Sequence, residues 1–454
     1  MKLSSIFLIL LLPAVAYSQT NDYRLDSYVN PDYKRKELDF FLGTATRLSS
    51  QKTKQKTSGT DTYNSDTKYK KFSGDMSGQF YQIENSIKKQ TYTNLYIDIG
   101  GDYLNNSDGS NSNNIKNKHF TFNMNYSQEG YYYGKDKKFI EFSPYAYFNH
   151  ATSINDYENS VSSKSKSTTA NILFKFGIGK GRIEQVEDAY LAMYILSDLM
   201  NNGSLDKTLS PDEVNMLAQQ ITSIKNKRQF DSRVKLIEEI STIDSFLTVN
   251  GYINAKTAPY FTSLYDNWMY AGLFERAAGS RISIGISPDY KWNYDKQQHE
   301  PVSNNDFRNY YSETKASAYI SYRYEKPVNL YLQHSVHTNI EGEWIKKRDE
   351  EKNTIGPRVY GEYSLGYYPN TRTHIRSSLI LNYFSTHNDD ISYHILYNGL
   401  RMNLYYYLSP QLRLNADGGI YFFYNNDKYK LNNWTNTNKS PDFSFNIGLR
   451  YSIF

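Results

Sequence analysis

The sequence predicts an all-β transmembrane barrel of about 14 antiparallel strands with one α-helical insertion. Three observations predict this fold. Long segments alternate between apolar or aromatic residues and polar or small ones, which gives each strand one apolar and one polar face. Tight turns alternate along the chain with long polar loops. Residues 183–278 change to the apolar spacing of amphipathic helices.

The composition excludes several other classes. The chain has 454 residues and no cysteine, so disulfide frameworks and cysteine-ligated metal sites are excluded. A net charge of +5 does not indicate a nucleic-acid-binding protein. The mean hydropathy of −0.71 argues against a helical membrane protein, and 16% aromatic residues argue against disorder.

The amino terminus has the pattern of a secretory signal peptide. Lys2 precedes the apolar run Ile6–Ala16, and small residues, of which Ser18 is the last, flank a cleavage site. The run is too short for a membrane anchor, and no cysteine follows it that could carry a lipid. We therefore expect a signal peptide at 1–18 and a periplasmic segment at 19–35.

The alternation of period two is clearest in the segment 281–292. There Ile282, Ile284 and Ile286 lie on one face, whereas Arg281 and Ser283 lie on the other. Fourteen segments show this pattern: 36–50, 70–85, 90–106, 117–134, 137–153, 166–182, 279–295, 313–326, 329–347, 357–369, 371–387, 390–409, 411–426 and 442–454. Strands 1–6 thus occupy 36–182 and strands 7–14 occupy 279–454.

The carboxyl terminus carries a pattern of polar, glycine, aromatic and apolar residues at fixed spacing. It is formed by Asn446, Gly448, Tyr451, Ile453 and Phe454, with the last residue one position out of the apolar register. This segment resembles the assembly signal of Gram-negative outer-membrane β-barrel, porin-like proteins. The resemblance implies an outer-membrane location, short periplasmic turns and two periplasmic termini. It also implies contact with outer-membrane lipid and with the barrel assembly machinery.

The insertion at 183–278 is expected to form a helical subdomain on the periplasmic side. Ser210–Glu213 has the sequence of a helix start with a capping box, Gly251 is expected to end the third helix, and 258–278 is read as a fourth helix. The apolar residues of the first three helices are Val186, Tyr190, Met193, Tyr194, Val214, Leu217, Ile221, Ile224, Val234, Ile237, Ile240 and Phe246; those of the fourth are Phe261, Leu264, Trp268 and Phe274. A plug or structural cap, a docking site for a periplasmic partner and a gate are all compatible with this pattern.

The polar faces of the strands predict the lining of the lumen. The candidate lining residues are Asp98, Glu141, Lys175, Arg281, Asp289, Arg323, Arg358, Glu362, Arg376, Arg401, Arg413, Asp417 and Arg450. Arginine recurs on the later strands, which predicts a basic arc that favours anionic solutes. The alternative is that these charges pair across neighbouring strands and fill the lumen.

Aromatic residues are expected to form girdles at both membrane surfaces. The outer girdle is assigned to Tyr290, Trp292 and Trp344, and the inner one to Tyr322, Tyr324 and Tyr406.

The sequence thus favours a porin-like channel for small polar or anionic solutes. One alternative is an outer-membrane anchor, or an export or assembly component, whose helices recruit a periplasmic partner. A less favoured alternative is a barrel hydrolase, for which His119, His337 and Asp289 would be the first residues to inspect. No catalytic motif, metal site or cofactor site is predicted, and no nucleic-acid partner.

Overall fold

The computed structural model describes most of the chain beyond the amino terminus. The described ranges are 23–56, 62–108, 115–157, 162–205, 207–227, 235–270, 276–301, 306–388, 390–409, 412–429 and 434–451. The predicted signal peptide at 1–18 lies outside these ranges, as do Val234, Phe274, Ile453 and Phe454.

Within the described ranges, fourteen strands form one sheet in which each strand pairs with its neighbours in sequence. All these pairings are antiparallel. The strands are β1 (Tyr33–Lys56), β2 (Thr62–Ser86), β3 (Lys89–Asp108), β4 (Ile115–Tyr133), β5 (Lys138–Tyr157), β6 (Ser162–Gln185), β7 (Ala277–Glu300), β8 (Phe307–Pro327), β9 (Leu332–Lys347), β10 (Thr354–Asn370), β11 (Thr373–His387), β12 (Ile391–Tyr407), β13 (Leu412–Tyr429) and β14 (Trp434–Tyr451). The predicted fold class, an antiparallel sheet of about 14 strands with inserted helices, is confirmed.

Several strands run further than the sequence pattern indicates. The segment 50–69 reads as a long polar loop, yet β1 and β2 pair as far as Lys56 opposite Thr62. The reason is that both faces of this hairpin are polar, so hydrophobic periodicity cannot detect it. The prediction of a long loop is therefore wrong here.

The described residues between β6 and β7 form four helices. They are α1 (Glu187–Asn201), α2 (Pro211–Asn226), α3 (Leu236–Val249) and α4 (Ala258–Met269). The α2 helix starts with the predicted capping box, in which Ser210 and Glu213 satisfy each other's backbone N–H groups. After α3, Gly251 adopts φ 69°, a left-handed conformation that glycine reaches without strain. No helix in the described part of the chain combines the length and the apolar character needed to cross a membrane.

Two helical faces differ from the prediction. In α3, Ile237 is 82% exposed, and Ile243 and Leu247 instead face the core, because the helix is oriented by its packing on the other helices. In α4, Phe261 is half-exposed while Leu264 and Trp268 are buried. The fourth helix ends at Met269 rather than continuing to residue 278, and β7 already begins at Ala277.

The helices and the segment before β1 share one core. Tyr23 and Tyr28 pack into it, and their hydroxyl groups contact Asn215 at 2.7 Å and Thr222 at 3.1 Å. Leu330, from the turn between β8 and β9, belongs to the same core. The four helices, called here the helical unit, thus pack on the segment that precedes β1. They also pack on the turn end of the sheet, which is the end that carries the short turns such as the one between β8 and β9.

Two contacts of α1 with distant strands show that the sheet is strongly curved. Asp188 of α1 binds Arg35 of β1, whereas Tyr194, six residues later, binds the backbone of Tyr368 in β10. Six helical residues span about 9 Å. In a flat sheet, nine strand spacings from β1 to β10 would span about 43 Å. The turn end of the sheet therefore curls around the helical unit.

Candidate functional site: the inner face of the sheet and its helical cap

The two faces of the sheet differ sharply in chemistry. In β7, Ile282, Ile284 and Ile286 are 50%, 55% and 59% exposed, whereas Arg281 and Ser283 are buried. The apolar face therefore points outward and the polar face inward, the reverse of a water-soluble protein.

Aromatic residues bracket the outward apolar band. Tyr324 lies opposite Ser280 near the turn end, and Trp292 follows twelve residues further along β7. Twelve strand residues span about 40 Å, which at a tilt of 45° is about 28 Å across a membrane. This height matches the hydrocarbon thickness of a bilayer.

The strand register places the predicted lining residues on the inward face. This holds for Asp98, Glu141, Lys175, Arg281, Asp289, Arg323, Arg358, Glu362, Arg376, Arg401, Arg413 and Asp417. The side chains of Arg450 and Tyr451 lie outside the described part of the structure.

Much of the basic arc is paired with carboxylates. The ion pairs are Arg323–Glu325 at 3.0 Å, Arg358–Glu343 at 3.0 Å and Arg376–Glu362 at 3.5 Å. Glu343 also binds Lys315 at 3.0 Å from β8. These pairs are the charge pairing that the sequence left open as an alternative, and they reduce the field of the arc.

Two arginines of the basic arc have no ion-pair partner among the described residues. They are Arg401 and Arg413. The Arg413 guanidinium lies 5.2 Å from the ring centre of Tyr407. Asp417 accepts a hydrogen bond from Asn446 at 3.2 Å. Asp427 shares the inward face of β13 with Arg413 and Asp417, so the inner face of β12 and β13 carries two arginines and two carboxylates.

Glu325 and Glu343 are lining residues that the sequence analysis missed. The alternation of the strands could have identified them. Glu325 is two residues from Arg323 and therefore on the same face, and Glu343 shares the face of His337 on the same strand.

A second network of side chains links β5, β6 and β8 across the inner face of the sheet. Glu141 is 2% exposed, and its carboxylate accepts a hydrogen bond from Tyr319 at 3.0 Å and binds Lys175 at 3.3 Å. The lysine also lies 4.1 Å above the ring centre of Tyr319. Gly177 makes this arrangement possible, since a Cβ there would lie 2.3 Å from the tyrosine hydroxyl.

Arg276 joins the helical unit to the turn end of the sheet. Its guanidinium lies between the rings of Tyr190 and Tyr368, 3.1 Å and 3.9 Å from their centres. It donates hydrogen bonds to the Leu330 carbonyl at 2.6 Å and to Gln333 at 3.3 Å. Burial lowers the pKa of Arg276, yet a guanidinium stays charged, so the contact is a cation held between two rings.

Further contacts fix the helices to other turns. The Tyr194 hydroxyl donates to the Tyr368 carbonyl at 2.7 Å, Arg372 forms an ion pair with Asp266, and Tyr270 packs edge-on against Tyr407 at 5.4 Å. These sites lie on the turn ends of β10, β11 and β12, while Arg35 lies near the start of β1. The helical unit therefore spans the turn-end mouth of the curved sheet.

Asp188 is the electrostatic centre of the helical unit. Its buried carboxylate binds Lys225 at 2.5 Å and Arg35 at 2.9 Å, and accepts a hydrogen bond from Thr222 at 2.6 Å. Burial raises its pKa, but the two cations and the hydrogen bonds outweigh burial and hold the pKa of Asp188 at about 2. The carboxylate is therefore charged, and it links β1, α1 and α2.

A small polar cavity lies where the wall meets the cap. Its volume is about 50 Å³, and its lining includes Arg323, Glu325, Gln333, Tyr368 and Arg376. This is room for one or two water molecules.

The hydrolase candidates do not form a cluster. Across the register, His119 of β4 is level with Gln297 of β7, eight residues from Asp289. His337 of β9 is level with Arg281 of β7, eight residues from Asp289 in the other direction. Eight strand residues span about 26 Å. His334 contacts Tyr363 on the outward face, whereas His337 contacts Tyr360 on the inward face. The two histidines therefore point to opposite faces of β9. Within the described ranges, no three His, Asp or Glu residues are grouped as metal ligands.

No protein family and no curated protein sequence matches this chain. The transport unit of the autotransporter AIDA-I from Escherichia coli is 9% identical, with a TM-score of 0.26 over 99% of this chain and 98% of that one. The ferripyoverdine receptor of the outer membrane of Pseudomonas aeruginosa is 7% identical, with a TM-score of 0.29 over 94% and 66% of the two chains. The outer membrane protease OmpT from Escherichia coli is 10% identical, with a TM-score of 0.15 over 94% and 98%. These TM-scores are too low to assign a family or a function.

Proposed function

We propose that this protein is an outer-membrane β-barrel that passes small polar or anionic solutes through a gated lumen, and that the helical unit is the gate. The observation that carries the proposal is the helical unit itself, which is held across the turn-end mouth by side-chain contacts to several hairpins. The outward apolar face supports the membrane location, and the charged inward face supports an aqueous path.

Gating is favoured over a fixed plug by the chemistry of these contacts. The mouth is held by polar contacts of Arg276, Tyr194 and Arg372, whereas most of the apolar core is formed by the helices, with Leu330 and Ala278 as the contributions of the turn end. A unit with its own core can separate from a polar interface without unfolding. The proposal places the turn end in the periplasm.

Single-channel recording in planar bilayers tests the gate. We expect rare openings for the natural protein and longer openings for Tyr194→Phe combined with Arg372→Ala, which remove two contacts at the mouth. Lys207→Ala combined with Lys256→Ala, on the exposed part of the helical unit, is the matched control and should leave the open probability unchanged. Equal open probabilities for the two double variants would contradict a gate at this interface.

An anchor or export component is the second candidate. It is favoured by exposed apolar side chains on the helical unit, namely Ile237, Val249, Phe261 and Tyr265. These side chains could contact a periplasmic partner. Absence of conductance both before and after removal of residues 187–275 would favour this candidate over the channel.

A further inference from the structure

Four cations form a group on the outward face of the sheet. Lys164 and Lys166 lie on β6, Lys296 on β7 and Arg308 on β8. Lys166 is directly opposite Lys296, which is directly opposite Arg308. Lys296 shares the face of Ile284 and Ile286, so the row points away from the lumen. Opposed side chains are about 5 Å apart, so three positive charges lie side by side.

The described carboxylates nearby do little to neutralise this positive charge. Like charges directly opposite each other destabilise a sheet. Among the described residues, none of the four cations takes part in an ion pair. The nearby Asp306 accepts hydrogen bonds from the backbone and ring of His299, both at 2.8 Å, and Asp156 pairs with Lys118 at 4.0 Å. Glu300 lies further along β7, opposite Ser162. An anion from outside the chain would therefore stabilise this group of cations.

The position of the four cations along the strands, relative to the aromatic residues, indicates where that anion comes from. The rings of Tyr294 and Tyr310 lie directly opposite each other with centres 4.9 Å apart, and Trp292 stacks on Tyr294 at 6.3 Å. Such aromatic groups mark the level of the lipid headgroups. The pair of Lys296 and Arg308 lies two residues beyond, which is about 5 Å further from the membrane centre at a 45° tilt.

We propose that Lys164, Lys166, Lys296 and Arg308 bind the phosphate groups of lipid headgroups in the leaflet at the loop end of the sheet. Arginine supplies paired donors for phosphate oxygens, and the lysines supply point charges. The inference rests on the membrane location in the proposed function, but it does not require solute passage. In an outer membrane this leaflet is the external one, so the ligand is a phosphorylated glycolipid.

Native mass spectrometry of the full protein in detergent tests the site. The probes are lipid A with two phosphates, the same lipid without phosphates, and inorganic phosphate. The test variant carries Lys164→Gln, Lys166→Gln, Lys296→Gln and Arg308→Gln. The matched control carries four Gln substitutions at the turn end, at Lys88, Lys135, Lys138 and Lys326, all of which are exposed. The unboiled mobility of each variant in SDS gels checks that its sheet is folded.

We expect the natural protein and the turn-end control to bind the phosphorylated lipid, and the test variant to bind it at least about tenfold more weakly. The dephosphorylated lipid and inorganic phosphate should bind weakly to all three proteins. Equal lipid binding by both variants, or equal binding of the two lipid forms, would overturn the proposal, as would inorganic phosphate binding as tightly as the lipid. Retention in carbonate-washed membranes tests the membrane location separately.

Discussion

Replacing Asp188 with Asn removes the carboxylate that links β1 to the helical unit. The side chain of Lys225 is 5% exposed, so the variant leaves an ammonium buried without its partner. Breaking a buried ion pair in this way costs about 3–5 kcal/mol. Because Arg35 lies in β1, the loss should both destabilise the helices and loosen their attachment to the sheet.

Trp268 provides a local reporter for this experiment. Its ring is buried in the helical core, and its indole N–H donates to Glu239 at 2.8 Å. With Trp292, Trp344 and Trp434 replaced by Phe, Trp268 fluorescence in urea follows the helical unit alone. The SDS-gel mobility of the unheated protein follows the sheet. We expect Asp188→Asn to lower the urea midpoint of the fluorescence change while the sheet remains folded.

A double variant separates lost charge pairing from lost packing. Asp188→Leu combined with Lys225→Met removes both buried charges, and Arg35 then keeps its contact with Glu187 at 3.7 Å. The double variant should therefore be more stable than Asp188→Asn. An unchanged midpoint in Asp188→Asn, or a lower midpoint in the double variant, would refute the role assigned to this carboxylate.

The same carboxylate gives a pH dependence of known sign. Its pKa is about 2 in the folded protein, below the ordinary value of 3.8. The stabilisation is therefore complete above about pH 4 and is lost as the pH falls towards 2, with a size of about 2 kcal/mol. In Asp188→Asn, this part of the acid-induced decrease in the stability of the helical unit should be absent.

Three further perturbations test other parts of the structure. Replacing Arg376, Arg401 and Arg413 together with Gln should lower the anion preference measured by reversal potential, whereas Glu343→Gln should raise it; unchanged potentials would count against an electrostatic lumen. Gly177→Ala should destabilise the sheet by about 1–3 kcal/mol through overpacking and so lower the temperature at which it unfolds in SDS, while Gly342→Ala, which has open space around its Cβ, should leave that temperature unchanged. Ser210→Ala should cost the helical unit about 1 kcal/mol in urea unfolding because it removes the α2 cap, and a loss no larger than that of the exposed Ser245→Ala would contradict this role.

The sequence pattern predicts the parts of this fold that depend on local periodicity. Strand β7 is detected because Ile282, Ile284 and Ile286 alternate with polar residues, and α2 is detected because Ser210–Glu213 carries its own start signal. The extension of β1 to Lys56 is not detected, since a polar hairpin has no hydrophobic period.

The candidate site is predictable as a face but not as a set of contacts. Alternation places Arg358 and Arg376 on the inward wall, yet their pairing with Glu343 and Glu362 depends on strand register. Arg276 follows α4 with no pattern of its own, and its position between Tyr190 and Tyr368 results from the packing of the helices on the turns. Such tertiary contacts leave no periodic signal in the sequence.

Spin-label accessibility along β7 tests the orientation of the wall most directly. The chain has no cysteine, so single-cysteine variants from Ile282 to Trp292 can be labelled cleanly in reconstituted bilayers. Oxygen accessibility should alternate with period two and should be high at Ile282, Ile284 and Ile286. Uniform accessibility along the strand, or high accessibility to a water-soluble nickel reagent at those isoleucines, would contradict a sheet that faces lipid on one side and encloses a lumen on the other.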